Sequence, residues 1–367
     1  MNLLKTAIAA ACLVMPLTSG AARADVHIAL VGPQTGQYAS FFDQMQRGAQ
    51  LAVSDLNTAG GLMGQKVVLD VQDDACDPKQ AVSVANRLAG EHVLAVIGHF
   101  CSSSSIPASE IYADADILMI TPASTNPALT EKGAKTVFRV CGRDDQQADV
   151  AAKQIIDRKL GSKIAFVDDH STYGAELVAG VKKRLAAAGV TPKFEGSITQ
   201  GDKDFSAVVT KLKALDIDLI FYGGYQAEAG LLVRQAREQG LKAKLMGGDG
   251  LANKDLAAIA GASSDGVLFT FYPDPRENAR SADLVQRFRT TGFEPEGFTL
   301  YTYAAAQVVA EAVKRANASS GSALATAIRS KPVDTVLGSL SFNAKGDPNS
   351  EPFVLYAFEH GNYAYVK

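Results

Sequence analysis

The sequence predicts an α/β protein of two similar domains, each with a parallel-rich sheet. Three observations lead there. Strand-like and helix-like segments alternate from Val26 onward, the alternation runs twice in succession, and no Pro/Ser-rich tether separates the two series. A length of 367 residues also exceeds what a single hydrophobic core usually serves.

The first 24 residues read as a secretory signal. Lys5 supplies a charged n-region, Thr6 to Leu17 an apolar stretch, and Ala22-Arg23-Ala24 a small-x-small cleavage site. The apolar run falls short of the ~20 residues that span a bilayer, so cleavage before Asp25 is expected. The first α/β series then begins with strand Val26–Val31 and helix Gln44–Asn57, whose Ala49, Ala52, Val53 and Leu56 show helical spacing. Strand Val67–Val71, helix Lys79–Leu88, strand Leu94–Ile97, helix Ile106–Ala113, strand Ile117–Thr121 and strand Thr136–Cys141 follow. A rhythm of this kind implies a parallel sheet with helices on both faces.

The second series opens with helix Asp144–Arg158, strand Ile164–Val167 and helix Tyr173–Ala188, which Gly189 terminates as a C′ residue. Phe194–Ile198, Phe205–Leu215, Leu219–Tyr222, Ala227–Gln239 and Lys244–Met246 continue the alternation. Helices at Asp283–Thr290 and Tyr301–Arg315, then strand-like Leu340–Phe342 and Phe353–Glu359, are placed to return the chain to each domain in turn. His27 and His360 read as strand positions.

Composition excludes several roles. Removal of the signal leaves 34 basic and 39 acidic side chains, a mild acidic balance that argues against nucleic acid or an anionic membrane as main partner. Phosphate-loop, dinucleotide, zinc-protease and serine-hydrolase motifs are absent, so no catalytic residue, cofactor or metal is assigned. Three cysteines remain after cleavage. In an oxidising compartment a pair is expected, and Cys76 and Cys101 follow two strands that one sheet could bring to a common edge; three buried reduced thiols are the alternative. Cys141 reads as a buried strand residue. His99 stands two residues from Cys101, a conceivable zinc arrangement that a disulfide would preclude.

In open α/β sheets ligands sit beyond the carboxyl ends of the strands. The turns to inspect are therefore Gly32–Phe42, Gly98–Ser105, Thr121–Pro127, Asp168–Tyr173, Gly223–Gln226 and Gly247–Gly250. Ser102 to Ser105 open a helix, where free N–H groups and hydroxyls suit a carboxylate or phosphate, although one serine suffices for capping. In Thr121-Pro122-Ala123-Ser124-Thr125-Asn126-Pro127 the prolines hold the chain out of regular structure, leaving carbonyls and hydroxyls for an ammonium and a carboxylate; an ordinary punctuated loop is the plainer reading. Asp249, in a glycine-rich turn, suits a ligand ammonium or is simply a solvated turn residue. Tyr38, Phe41, Phe42, Tyr173, Tyr225 and Phe298, in or near loops, could enclose an apolar group or close a core edge.

At these turns the chain resembles the periplasmic leucine/isoleucine/valine-binding protein family, receptors of ABC importers. The likeness runs from about Asp25 to Lys367. It is carried by Asp73-Asp74-Ala75-Cys76-Asp77-Pro78-Lys79-Gln80-Ala81-Val82, Cys101-Ser102-Ser103-Ser104, Ile117-Leu118-Met119-Ile120-Thr121-Pro122-Ala123 and Tyr222-Gly223-Gly224-Tyr225. The resemblance implies two Rossmann-like lobes joined by three crossovers, residues 25–143 with 272–352 and residues 144–271 with 353–367, closing on a ligand held between them. It implies that Ser102 and Thr125 hold the ligand carboxylate, that the Ala123 carbonyl and Thr125 hydroxyl meet the ammonium, and that Ser124 belongs to the same binding turn. Phe100, Cys101, Tyr173, Tyr225 and Phe298 would line the side-chain pocket, and Cys76–Cys101 matches the family's disulfide.

Two positions depart from that pattern. Asp249 stands where the branched-chain receptor has Glu, and Phe41 where it has Tyr. The expected function is thus periplasmic capture of an aliphatic, branched-chain L-amino acid by a monomer that serves an inner-membrane ABC permease and ATPase. A periplasmic sensor, a relative binding an amide, and a secreted enzyme with an unrecognised site are the alternatives. Burial of a leucine side chain would contribute about 1.5–3 kcal/mol, whereas one methylene discriminates by only about 1–3 kcal/mol, so Leu, Ile and Val should be weakly distinguished.

Overall fold

The computed structural model describes residues 25–349 and 353–366; the expected signal, residues 1–24, lies outside the described residues. Its first half contains β1 (Val26–Gly32), α1 (Ala39–Thr58), β2 (Val67–Asp73), α2 (Pro78–Glu91), β3 (Ala95–Ile97), α3 (Ser102–Asp114), β4 (Leu118–Thr121), α4 (Ala128–Glu131) and β5 (Val137–Arg139). These five strands form one all-parallel sheet in the order β2-β1-β3-β4-β5. Alternate residues of β1 show why it is covered twice. Ile28 and Leu30 enter the core beneath α1, while Ala29 and Val31 pack with Val84, Leu88, Ala108 and Tyr112 of α2 and α3. A strand apolar on both faces needs a helix layer on each.

The second half runs α5 (Asp144–Asp157), β6 (Ile164–Asp168), α6 (Thr172–Ala187), β7 (Phe194–Ser197), α7 (Ser206–Ala214), β8 (Leu219–Gly223), α8 (Gln226–Glu238), β9 (Lys244–Gly247), α9 (Asp255–Ala260) and β10 (Leu268–Phe271). Its parallel strands lie in the order β7-β6-β8-β9-β10, which repeats the first sheet's arrangement strand for strand. The chain then returns to the first lobe with α10 (Ala282–Thr290), α11 (Thr299–Ala316), α12 (Gly321–Ser330) and the small hairpin β11 (Val333–Thr335) and β12 (Gly338–Leu340). Helix α11 packs on α1 and over β3 and β4. Finally β13 (Val354–Glu359) and β14 (Asn362–Tyr365) join the second sheet antiparallel beside β10. Three passages therefore connect two Rossmann-like lobes: β5 to α5, β10 to α10, and β12 to β13. No helix among the described residues is long and apolar enough to cross a membrane.

Several sequence expectations shift. Helix α1 begins at Ala39, five residues before the expected start, because Tyr38 makes no side-chain capping bond that a sequence could advertise; Phe41 and Phe42 thus lie on a helix. Helix α3 starts at Ser102 rather than Ile106, and Pro107 is accommodated in its second turn. Strand β10 and helix α12 were not anticipated: a four-residue apolar strand has too few residues to show a period. His360 is a turn residue with φ 50° between β13 and β14, not a strand position.

Candidate functional site

Both sheets reverse their strand order beside the first strand of the lobe, and the segments that leave their carboxyl ends face one another. From the first lobe come Phe100 and Ser102 after β3, and Ala123 and Thr125 after β4; from the second come Tyr173 after β6, Tyr225 after β8, and Asp249 and Gly250 after β9. These eight residues converge on one small cavity between the two walls. A larger groove between α1 and α11, lined by Ala52, Leu56, Ala306 and Ala310, lies away from every strand terminus just named.

The first wall is fixed from behind. Cys76 and Cys101 form a disulfide with Cα atoms 5.5 Å apart, tying the β2–α2 turn to the start of α3. Cys101 takes the N-cap position, so Ser102 is the first helical residue; its Oγ accepts from the Asn126 N–H at 3.3 Å. The Thr121 hydroxyl donates to the His99 carbonyl at 2.7 Å and accepts the Ser124 N–H at 2.9 Å. Ser124 donates to the Phe100 carbonyl at 2.8 Å and lies 2.6 Å from the Ser105 hydroxyl.

Arg139, at the end of β5, holds the same turn. The fully buried guanidinium donates to the carbonyls of Ser124 at 2.6 Å and Asn126 at 3.0 Å, and to Asp347 at 2.8 Å. Burial alone would raise the Asp347 carboxyl, but Arg139, Thr130 and Arg143 together hold it below the usual carboxylate range. Thr125 is thereby positioned on a turn whose neighbouring carbonyls are both anchored.

The second wall carries the charge. Asp249 is buried; the Tyr173 hydroxyl donates to it at 2.8 Å and accepts from the Gly250 N–H at 3.0 Å. Burial pushes the Asp249 carboxyl up to about 6, opposed by the hydrogen bond from Tyr173. Tyr173 and Tyr225 lie 5.2 Å apart between ring centroids, and Tyr225 reaches Phe100 of the opposite wall at 6.1 Å.

The lobes also meet beside the cavity. Gln37 donates to the buried Glu228 at 2.6 Å, Gln200 to the Tyr38 hydroxyl at 3.0 Å, and Asn253 to Ser40 at 3.0 Å. The cleft is closed.

Seven of the eight lining residues are sequence candidates; Gly250, inside an inspected turn, is the eighth. Four other candidates stand behind them. Phe41 stacks on Phe100 at 4.6 Å and Phe298 meets it edge-on at 5.1 Å, so both back the ring that lines the cavity. Cys101 is committed to the disulfide, and the Ser124 hydroxyl is engaged with backbone and Ser105. Arg139 escaped sequence reading because a lone arginine at a strand end carries no motif. His99 takes no part with the cysteines: its Nδ1 lies 2.6 Å from Asp74 and its Nε2 3.1 Å from the Tyr112 hydroxyl. The described residues contain no group of acids, histidines and cysteines that could hold a metal ion.

Comparison with known proteins gives a consistent set of likenesses. Residues 25–362 match a family described as periplasmic binding protein. The chain is similar to the Leu/Ile/Val-binding protein homolog 1 of Brucella melitensis, at 45% identity over 352 residues and 95% of each chain. Among solved structures it is similar to a leucine-binding protein of Thermotoga maritima, with a TM-score of 0.87 and 27% identity over 93% of this chain and 98% of that one. It is also similar to the branched-chain amino acid transporter substrate-binding protein of Streptococcus pneumoniae in complex with isoleucine, with a TM-score of 0.84 and 26% identity over 93% and 98%.

Proposed function

The chain belongs to the periplasmic binding protein family, and from that membership we propose that it captures an aliphatic, branched-chain L-α-amino acid in the periplasm for an ABC importer. It acts as a monomer that binds without turnover and delivers its ligand to a permease and ATPase in the inner membrane. Residues 25–143 with 272–352 make one closing lobe, and residues 144–271 with 353–367 the other.

One observation carries the reading: two strand-end walls, one rich in neutral hydrogen-bonding groups and one bearing a buried carboxylate among aromatic rings, converge on a single small cavity. Ser102 and the Thr125 N–H, with amides at the start of α3, receive the ligand carboxylate where unpaired N–H groups favour an anion. The Ala123 carbonyl, the Thr125 hydroxyl and Asp249 receive the ammonium, whose three donors match three acceptors. Phe100, Tyr173 and Tyr225 enclose the alkyl chain, with Phe41 and Phe298 keeping the Phe100 ring in place. Asp249 carries the shorter acidic side chain, and the Tyr173 hydroxyl fixes it at the cavity edge.

Titration calorimetry with L-leucine, L-isoleucine and L-valine tests this. Heat is expected with all three, with affinities differing by about 1–3 kcal/mol at most. No heat with any of them would overturn the reading.

A further inference from the structure

One buried acid beside the cavity has no assigned task. Asp144 opens α5, is 1% exposed, and neither carboxyl oxygen has a hydrogen-bond partner. Its own N–H donates to the Thr125 carbonyl at 2.9 Å, which ties the first residue of α5 to the residue meant to meet the ligand's ammonium. The Thr125 side chain lies close enough to favour ionisation of Asp144, although in the closed cleft no hydrogen bond between them reaches normal geometry. Unpartnered buried carboxyls are costly, and such a group persists where something else satisfies it.

Resting on the amino-acid reading above, we propose that Asp144 is a positioning residue that couples ligand capture to proton release. In the empty cleft Asp144 holds a proton. When an ammonium arrives between Thr125 and Asp249, the Asp144 O–H bond breaks and the proton passes to solvent. The resulting carboxylate accepts a hydrogen bond from the Thr125 hydroxyl, which turns the lone pairs of that oxygen toward the ammonium.

The surrounding charges agree with this direction. Burial raises Asp144 well above the usual carboxylate range, and the Asp249 carboxylate after β9 raises it further. Thr125 and Arg139 oppose the shift, Glu176 of α6 adds to it, and Arg139 is already committed to Asp347. Tyr173, Tyr225 and Tyr272 also face Asp144; burial holds all three phenols protonated, so they bring no charge of their own. An incoming cation is the one change that reverses the balance, and it favours the ionised form.

The test is calorimetry of the full chain with L-leucine at pH 7.5 in two buffers of different ionisation heat. Asp249 and Asp144 each hold the other's carboxyl up, so the assignment of a released proton rests on comparing the native chain with Asp144→Asn. Release of more than about half a proton per ligand is expected, with affinity falling by up to about tenfold per unit as the pH is lowered. Asp144→Asn should bind L-leucine about tenfold more weakly at pH 7.5 and release essentially no proton there. Binding by the native chain without proton release, or equal release by Asp144→Asn, overturns the inference and leaves the amino-acid reading intact. Should Asp144→Asn fail to fold, Asp144→Ser takes its place, with the same expected and overturning results. Absence of heat with L-leucine, L-isoleucine and L-valine in both buffers overturns the amino-acid reading and this inference with it.

Discussion

The two walls of the cleft share a strand order yet hold different chemistry. The first presents Ser102, Thr125 and the Ala123 carbonyl on turns locked from behind by a disulfide and by Arg139. The second presents the groups themselves, a carboxylate and two phenol rings, steadied mainly by the Tyr173 hydroxyl that links Asp249 to Gly250. A wall made of backbone geometry fails when its supports are removed; a wall made of side chains fails when those side chains are removed. The first kind of damage is read as lost stability, the second as lost affinity.

The largest expected effect falls on the supports. Asp347→Ala leaves the fully buried Arg139 without its counter-charge, and urea unfolding should show a loss of about 3–5 kcal/mol. A loss under about 1 kcal/mol would mean that the first wall does not depend on this pair. Replacing both Cys76 and Cys101 by Ser opens a loop with a sequence separation of 25 residues, and should cost about 3–4 kcal/mol in the same measurement. An unchanged unfolding midpoint would contradict the comparison.

The second wall is broken differently. Asp249→Ala removes the carboxylate that lines the cavity, and calorimetry should show amino-acid affinity lower by about 3 kcal/mol, near a hundredfold, with little change in unfolding. Unchanged affinity would take Asp249 out of the site. Tyr173→Phe deletes one hydroxyl that serves both Asp249 and the Gly250 N–H, and affinity should fall by about 1–2 kcal/mol. Were this variant instead to lose stability and keep affinity, Tyr173 would belong with the supports.

Sequence reading found the second wall more completely than what stands behind either. Tyr173, Tyr225 and Asp249 follow strands whose apolar runs are plain, so the rule of strand carboxyl ends pointed at them directly. Ser102, Ala123 and Thr125 were legible for the same reason, helped by serines at a helix start and prolines after a strand. Arg139 and Asp347 were not, because they are 208 positions apart and only the fold brings them together. Asp144 was read merely as the start of a helix; the groups around it, Thr125, Arg139, Glu176 and Asp249, come from distant parts of the chain, which no local pattern encodes. Phe41 and Phe298 were placed in the pocket and instead brace it, a distinction of one packing layer that residue type cannot supply.

The most direct measurement is a crystal structure of the chain grown with L-leucine. The account predicts the amino acid between the two walls, its ammonium within about 3.2 Å of Asp249 and the Ala123 carbonyl, its carboxylate against Ser102 and the start of α3, and its alkyl chain beside Phe100 and Tyr225. Leucine bound elsewhere, as in the groove between α1 and α11, or held with its carboxylate toward Asp249, would contradict it.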